Sequence, residues 1–473
     1  MRQLFFFFFF FFFFLSTSPF LSSSLDFHHV NLHDLSFKSS HHPKDHHHQN
    51  HTHVDKLHTE DNLSVNLFHR DSLSNHAYRS HGHRIASLLA RDAARAAAVT
   101  RRLSPSYKVE DFGSEVVSGL TAGSGEYFVR VGVGTPPEDQ FMVVDSGSDV
   151  IWVQCEPCER CYSQSDPVFD PAESASFAGV PCDSELCGLL MSSAVSDGRC
   201  HGGGCRYEVS YGDGSYTDGV LALETLTFDG AVVSGVAIGC GHRNRGLFVG
   251  AAGLLGLGWG PMSLVGQLGG SAGSAFGYCL VSRAGGSATG SLVFGRSAAV
   301  PVGAVWVPLL RNPRAPSFYY VGLMGLGIGG VRLPLLEDLF QLDGDGGGGV
   351  VMDTGTAVTR LPDSAYAALR DAFVGATSEL PRSPQVSIFD TCYDLGGFES
   401  VRVPTVSFYF SEGAILTLPA RNYMIPVDDS GTYCFAFAPA SSGLSIMGNI
   451  QQEGIQITFD AANGFVGFGP NTC

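Results

Sequence analysis

Apolar and polar residues alternate with a period of two through much of the chain after residue 125, in short runs. Tyr127, Val129, Val131 and Val133 share one face of a run that stops at Gly134-Thr135-Pro136-Pro137. A half-buried strand ended by a turn has this pattern. Phe141–Val144 follows as a second strand, and Cys205–Tyr211 leads to Gly212-Asp213-Gly214, a hairpin tip. Leu221–Phe228 and Val232–Cys240 supply further strands. Helical spacing is scarce. Ser263–Leu268 reads as a short helix after Pro261, and Pro362–Thr377 places Tyr366, Leu369 and Phe373 on one face. Arg84–Leu103 carries a stripe of Ile85, Leu88, Leu89, Ala96, Val99 and Leu103. So few helices disfavour an enzyme of alternating strands and helices. The chain is expected to be all-β (mainly β), with a few short helices.

The order of elements occurs twice. Val143-Val144-Asp145-Ser146-Gly147-Ser148 returns as Val351-Met352-Asp353-Thr354-Gly355-Thr356. Leu254-Leu255-Gly256 begins 109 residues after Asp145, and its counterpart Ile446-Met447-Gly448 begins 93 after Asp353. Further strands are expected at Tyr319–Ile328, Val406–Phe410, Cys434–Ala438 and Gly454–Phe459. The extra length of the first half matches an insertion at residues 155–205, rich in Cys, Ser, Pro and Gly. We read a tandem duplication of one β lobe, at residues 113–300 and 301–473, each contributing one acid.

The 473 residues suffice for two lobes with sizeable cores plus appendages. Arg2 precedes an apolar run from Leu4 to Leu15, too short to span a membrane, and small polar residues follow. Residues 1–24 therefore read as a secretory signal peptide. Residues 25–112 hold 15 of the 17 histidines and all four lysines. Up to residue 112 there are 12 Lys and Arg against 10 Asp and Glu, leaving 16 against 35, or −19, for residues 113–473. A His-rich, near-neutral stretch before a strongly acidic body suggests a removable prosegment. Its histidine runs fit solvated disorder, a proton switch near neutral pH or, less well, metal binding. Both sequons, Asn50-His51-Thr52 and Asn62-Leu63-Ser64, fall in it. All 12 cysteines lie after residue 154, seven of them within 155–205. An even count behind a signal peptide implies an oxidising compartment and disulfides, rather than a metal at Cys155-x-x-Cys158-x-x-Cys161.

Apolar strands on both sides of each Asp-hydroxyl-Gly-hydroxyl tetrad carry the carboxylate inward, where hydroxyls and Gly N–H groups supply the donors it needs. Two such carboxyls brought together hold one proton between them. One takes a proton from water while the other protonates a carbonyl oxygen, which is sufficient for amide hydrolysis without a nucleophilic side chain or metal. Turn capping is the plainer reading of each acid, but it leaves the duplicated tetrad unexplained.

Asp145-Ser146-Gly147-Ser148 and Asp353-Thr354-Gly355-Thr356 resemble the paired catalytic motifs of pepsin-like aspartic proteases, over about residues 120–473. Leu254-Leu255-Gly256 and Ile446-Met447-Gly448 resemble the elements that cross behind each catalytic loop of that bilobal fold. The Cys-rich insertion is similar to that of the nepenthesin-type plant subgroup. Gly239-Cys240-Gly241-His242, Phe389–Asp394 and Ile425–Gly431 are closer still to the plant "aspartic protease in guard cell" group.

The resemblance implies Asp145 and Asp353 as the dyad. Ser148 and Thr356 would hydrogen-bond its outer oxygens, and Ser146 and Thr354 would link the two loops beside Gly147 and Gly355. Tyr211, with Gly212 and Asp213, would form a flap closing over a peptide, Trp152 partnering the tyrosine. A hairpin aromatic without that role is the other reading of Tyr211. By family analogy the disulfides are Cys155–Cys158, Cys161–Cys240, Cys182–Cys205, Cys187–Cys200, Cys279–Cys473 and Cys392–Cys434. The expectation is a secreted, monomeric endopeptidase made as a zymogen and most active at acid pH. It would act on polypeptides, be inhibited by its own prosegment, and need no metal or cofactor, with no nucleic-acid partner or membrane anchor. Its destination would be the secretory pathway and the extracellular space (apoplast), with endoplasmic reticulum or vacuole open. The alternative is a non-catalytic pepsin-fold binding protein such as a glycosidase inhibitor, disfavoured by the intact second tetrad.

Overall fold

The computed structural model describes residues 25–35, 63–70, 80–102, 127–192, 199–211, 215–229, 231–246, 250–269, 275–281, 290–295 and 303–469. The signal peptide, the histidine run at 41–58, Leu103, Gly212, Asp213 and Cys473 lie outside the described residues. Among the described residues, strands β1 (Phe27–Asn31) and β2 (Leu63–His69), a one-turn helix at Leu32–Leu35 and helix α1 (His81–Arg102) precede the body. The first half then contains β3 (Tyr127–Val133), β4 (Glu138–Asp145), β5 (Trp152–Gln154), β6 (Gly204–Ser210), β7 (Tyr216–Phe228), β8 (Ala231–Arg245) and β9 (Gly253–Gly256). In the second half, β10 (Val350–Met352), β11 (Thr359–Leu361) and β12 (Ser445–Met447) carry the matching elements. A 14-residue helix at Asp363–Ala376 buries Tyr366, Leu369 and Phe373, and Ser263 caps the short helix Leu264–Leu268 by accepting from Gly266 N.

Each half builds the same knot of strands. β9 runs parallel to β4, with Leu255 opposite Val144 and Gly256 opposite Asp145, and antiparallel to β5. β12 runs parallel to β10, with Met447 opposite Met352, and antiparallel to β11. The Leu-Leu-Gly and Ile-Met-Gly runs are thus buried strands locked between the strand entering each tetrad and the strand leaving it. Apolar neighbours on both faces explain their unbroken hydrophobicity.

β2 is a strand beyond those expected from the sequence, its short alternation standing within a polar stretch. It pairs with β3, Leu67 opposite Val129, and on its other edge with Gly290–Phe294. That strand continues through Phe276–Cys279 and Gln456–Asp460 to Phe465–Phe468 and Val305–Leu310, so one sheet joins the two halves. Phe276 stacks on Phe459 with centroids 5.0 Å apart, and Tyr319 packs on Phe459 at 4.3 Å. β1 pairs with Ser400–Pro404. Residues read as a detachable prosegment therefore contribute strands to both halves.

The disulfides depart from the family analogy at four of its pairs. Cys155 bonds Cys240 and Cys158 bonds Cys161, in place of Cys155–Cys158 and Cys161–Cys240. Parallel pairing of β5 with β8 sets Val153 opposite Cys240, and Cys155 lies two residues on, on the same face, 5.4 Å from it between Cα atoms. Cys182 bonds Cys200 and Cys187 bonds Cys205, in place of Cys182–Cys205 and Cys187–Cys200. Cys200 and Cys205 face each other across a hairpin, and each bonds a cysteine 18 residues before it. Cys392 bonds Cys434 across paired strands, and Cys279 is disulfide-bonded. Peptide mapping of the unreduced protein is expected to yield one linked species with Cys155 and Cys240 and another with Cys187 and Cys205. A Cys161–Cys240 species would contradict this strand register.

Candidate active site

Asp145 ends β4 and Asp353 follows β10, each after two buried apolar residues, and both carboxyls are buried, at 1 % and 0 % exposure. The tetrads meet. Ser146 N donates to Thr354 Oγ1 at 3.2 Å, and Thr354 N donates to Ser146 Oγ at 3.1 Å. This reciprocal pair is the link between loops anticipated for those hydroxyls. Gly147 N donates to Asp145 Oδ1 (2.9 Å) and Gly355 N to Asp353 Oδ1 (3.1 Å). Thr356 Oγ1 donates to Asp353 Oδ2 at 2.6 Å. Ser148, expected in the matching role, makes no hydrogen bond through its buried Oγ. Both Asp145 oxygens are instead engaged by an arginine from outside the body.

That arginine is Arg95 of α1. Its Nη2 donates to Asp145 Oδ1 at 2.6 Å and to Asp353 Oδ1 at 2.8 Å, its Nε to Asp353 Oδ2 at 2.9 Å, and its Nη1 to Asp145 Oδ2 at 3.3 Å. One guanidinium thus bridges both carboxylates, using its planar fork on each. Room for it comes from two glycines. A Cβ on Gly147 would lie 2.5 Å from Arg95 Nη2, and one on Gly355 would lie 3.0 Å from its Cζ. Burial opposes ionisation of Asp353, but the charge and hydrogen bonds of Arg95, with those of Thr356 and Gly355 N, outweigh it and hold this carboxyl below its usual range. Burial likewise opposes the charge on Arg95, yet the two aspartates hold its proton more firmly than usual.

A second polar contact lies three residues back on α1. Asp92 Oδ1 accepts from Ala357 N at 2.8 Å and from Val358 N at 2.7 Å, and its Oδ2 pairs with Arg360. Burial raises the Asp92 carboxyl, with Arg360 and the two backbone donors acting against it. Around these charges the helix packs apolar residues. Ile85, Leu88 and Leu89 join Ala357, Val358 and Ile425, while Ala96 and Val99 join Phe318, Val351 and Ile446. Asp92 and Arg95 stand on the apolar stripe itself, at 88, 92, 95 and 99. Two charges on the buried face of an amphipathic helix are the sequence signal that marks them.

In the first half, Trp152 Nε1 donates to the Tyr211 hydroxyl at 2.8 Å. Both rings are buried, and Tyr211 stands where β6 gives way to the hairpin whose other arm is β7. Asp149, one residue past the first tetrad, accepts from Gly260 N (3.0 Å) and from Ser317 Oγ (2.5 Å), tying the halves together beside the dyad. Among the described residues, no group of three His, Cys, Asp or Glu is placed to hold a metal.

Comparison with known proteins agrees with this geometry. Residues 127–296 match the family described as "Xylanase inhibitor N-terminal" and residues 318–470 the one described as "Xylanase inhibitor C-terminal". The chain is 66% identical over 418 residues to Protein ASPARTIC PROTEASE IN GUARD CELL 2 of Arabidopsis thaliana, covering 87% of each. The chain is a plant pepsin-like aspartic protease. It is 40% identical to Aspartic proteinase nepenthesin-2 of Nepenthes gracilis over 364 residues, 76% of this protease and 81% of the relative. Among solved structures, that of Basic 7S globulin from soybean superposes with a TM-score of 0.58 at 21% identity, covering 74% of the protease and 94% of that chain. At that identity the likeness concerns the fold alone. Relatives at 66% and 40% that are named proteases place this chain with the enzymes rather than with the binding-protein alternative.

The bridged dyad has a pH signature. A depressed carboxyl pKa stabilises the fold above the unfolded pKa, and that contribution disappears as pH falls through the folded value. Replacing Arg95 by Met leaves a buried carboxylate pair without its cation, a loss of about 3–5 kcal/mol near neutral pH. The difference in melting temperature between Arg95→Met and the unaltered chain is therefore expected to be largest near neutral pH. It should narrow as pH falls to about 2.5.

Proposed function

We propose that this protease is a secreted aspartic endopeptidase made as a zymogen, with Asp145 and Asp353 activating water for peptide hydrolysis at acid pH. The observation that carries the reading is the pair of tetrads held face to face with Arg95 bridging both carboxylates. With the guanidinium in place, all four carboxylate oxygens of the dyad accept hydrogen bonds from Arg95. With it withdrawn, two close buried carboxyls share one proton, the behaviour for which aspartic-protease dyads are the reference case. The ionised member then takes a proton from water as its oxygen attacks the peptide carbonyl carbon. The protonated member gives its proton to the carbonyl oxygen, and return of protons to the amide nitrogen releases the amine. Tyr211, hydrogen-bonded to Trp152, would close over the substrate from the β6–β7 hairpin.

Acid favours release by several routes together. Protonation of Asp353 weakens its hold on Arg95, and histidines of residues 25–112 gain charge while the acidic body loses it. Cysteine use and the apolar leader support passage through the secretory pathway to the extracellular space.

In digestion of casein or haemoglobin at acid pH, Asp145→Asn and Asp353→Asn are each expected to reduce the pepstatin-sensitive rate at least about 10²–10⁴-fold. A variant that cuts at the normal rate would remove the dyad from the mechanism. For the zymogen reading, the full-length Arg95→Ala chain is expected to cleave at a pH where the unaltered precursor is silent. His→Gln changes throughout residues 28–58 are expected to move the pH at which N-terminal sequencing first detects processing. Unchanged onset in both variants would leave autoinhibition without support.

A further inference from the structure

The contacts of Asp92 outlast the helix that bears it. Ala357 N, Val358 N and the Arg360 guanidinium belong to the body, immediately after the second tetrad, whereas Asp92 belongs to α1. The donors are rigidly placed. Ala357 O and Thr356 O accept from Ile450 N and Asn449 N, and Arg360 sits in β11, opposite Ile446 of the buried β12 and opposite Ala438. Asp92 is fully enclosed there, while the Arg360 side chain is 14 % exposed. Arg360 Nε is buried without a partner, so the guanidinium has a donor to spare. Among the described residues, Arg360 pairs with no carboxylate other than Asp92.

We propose that this cradle is a substrate subsite of the mature protease, selecting an Asp or Glu side chain. The inference rests on the proteolytic reading above, in which α1 leaves the cleft. Once α1 has gone, two backbone N–H groups and one guanidinium converge on a position that a carboxylate fits, and leaving them unmatched in a sheltered site is unfavourable. A substrate carboxylate restores three charge-assisted hydrogen bonds. Asp92 lies three residues from Arg95, about 4.5 Å along the helix axis. An extended peptide advances about 3.3 Å per residue. The acidic side chain therefore falls one to three residues from the scissile bond, and Arg360 sets the preference. The sequence contains no sign of this, because the donors are partly backbone and Arg360 resembles any strand arginine until β11 and β12 pair.

The test uses the full-length chain after acid activation and a set of peptides sharing one scissile bond. Asp, Asn or Leu is placed in turn at each of the four positions on either side. At about pH 5 a peptide Asp is ionised. One position is expected to favour Asp over Asn by roughly ten-fold in kcat/KM, the scale of a hydrogen bond to a charged group. Arg360→Gln should bring that ratio close to one, and Arg360→Lys should retain part of it. The lysine variant serves alone if the glutamine variant does not fold. Cleavage of all peptides with no position favouring Asp would overturn the subsite and leave the proteolytic reading standing. A preference for Asp that survives both substitutions would overturn it as well. Cleavage of no peptide at all would remove the proteolytic reading, and this subsite with it.

Discussion

A single guanidinium between two carboxylates organises the described structure. Arg95, Asp145 and Asp353 are all buried, and in this arrangement the charge on each is compensated by the others. Taking one charge out of such a set leaves the remainder unpaired in a medium that solvates charge poorly. The contact demands that two tetrads 208 residues apart face each other, and that a helix from the start of the chain lie across them. It also demands that Gly147 and Gly355 carry no side chain. The strand knots behind the tetrads meet the first demand and the apolar faces of α1 meet the second.

The two halves are alike in backbone and unlike in detail. Both strand knots hold their aspartate through a Gly N–H two residues on. Thr356 completes the support of Asp353, while the Ser148 hydroxyl stays unpaired beside an Asp145 that Arg95 engages through both oxygens. The asymmetry extends outward. The first half carries the disulfide-stapled insertion and the β6–β7 hairpin, and the second half receives most of α1. Asp92 and Arg95 both contact the second half, so the helix is docked on one wall of the site and reaches across to the other.

Much of this was legible without coordinates. A period of two gave the strands, a period near 3.6 gave α1 and the helix at 363–376, and the duplicated tetrad singled out both aspartates. What escaped notice follows a physical pattern. β2 is hard to read locally because a polar stretch surrounds its short alternation and its partners are 58 and more residues away in sequence. The family analogy pairs Cys155, Cys158, Cys161, Cys182, Cys187, Cys200, Cys205 and Cys240 differently because strand register, which spacing does not reveal, decides which sulfurs approach. Asp92 and Arg95 stand on the apolar face of their helix, and the partners that make them tolerable there lie 50 and more residues away in sequence.

Local pattern along the chain is enough to specify the duplicated β architecture, the two candidate acids and a helix ahead of the body. Each of these is written in local periodicity or in a repeated motif, and local signals need no knowledge of distant partners. The tertiary structure alone decided what meets what: Arg95 on the dyad, Asp92 on Arg360, β2 inside the joining sheet and the actual cysteine partners. Those pairings depend on distances between residues far apart in the chain. Such distances are set only when strand register and burial bring the two halves and their leading segment together.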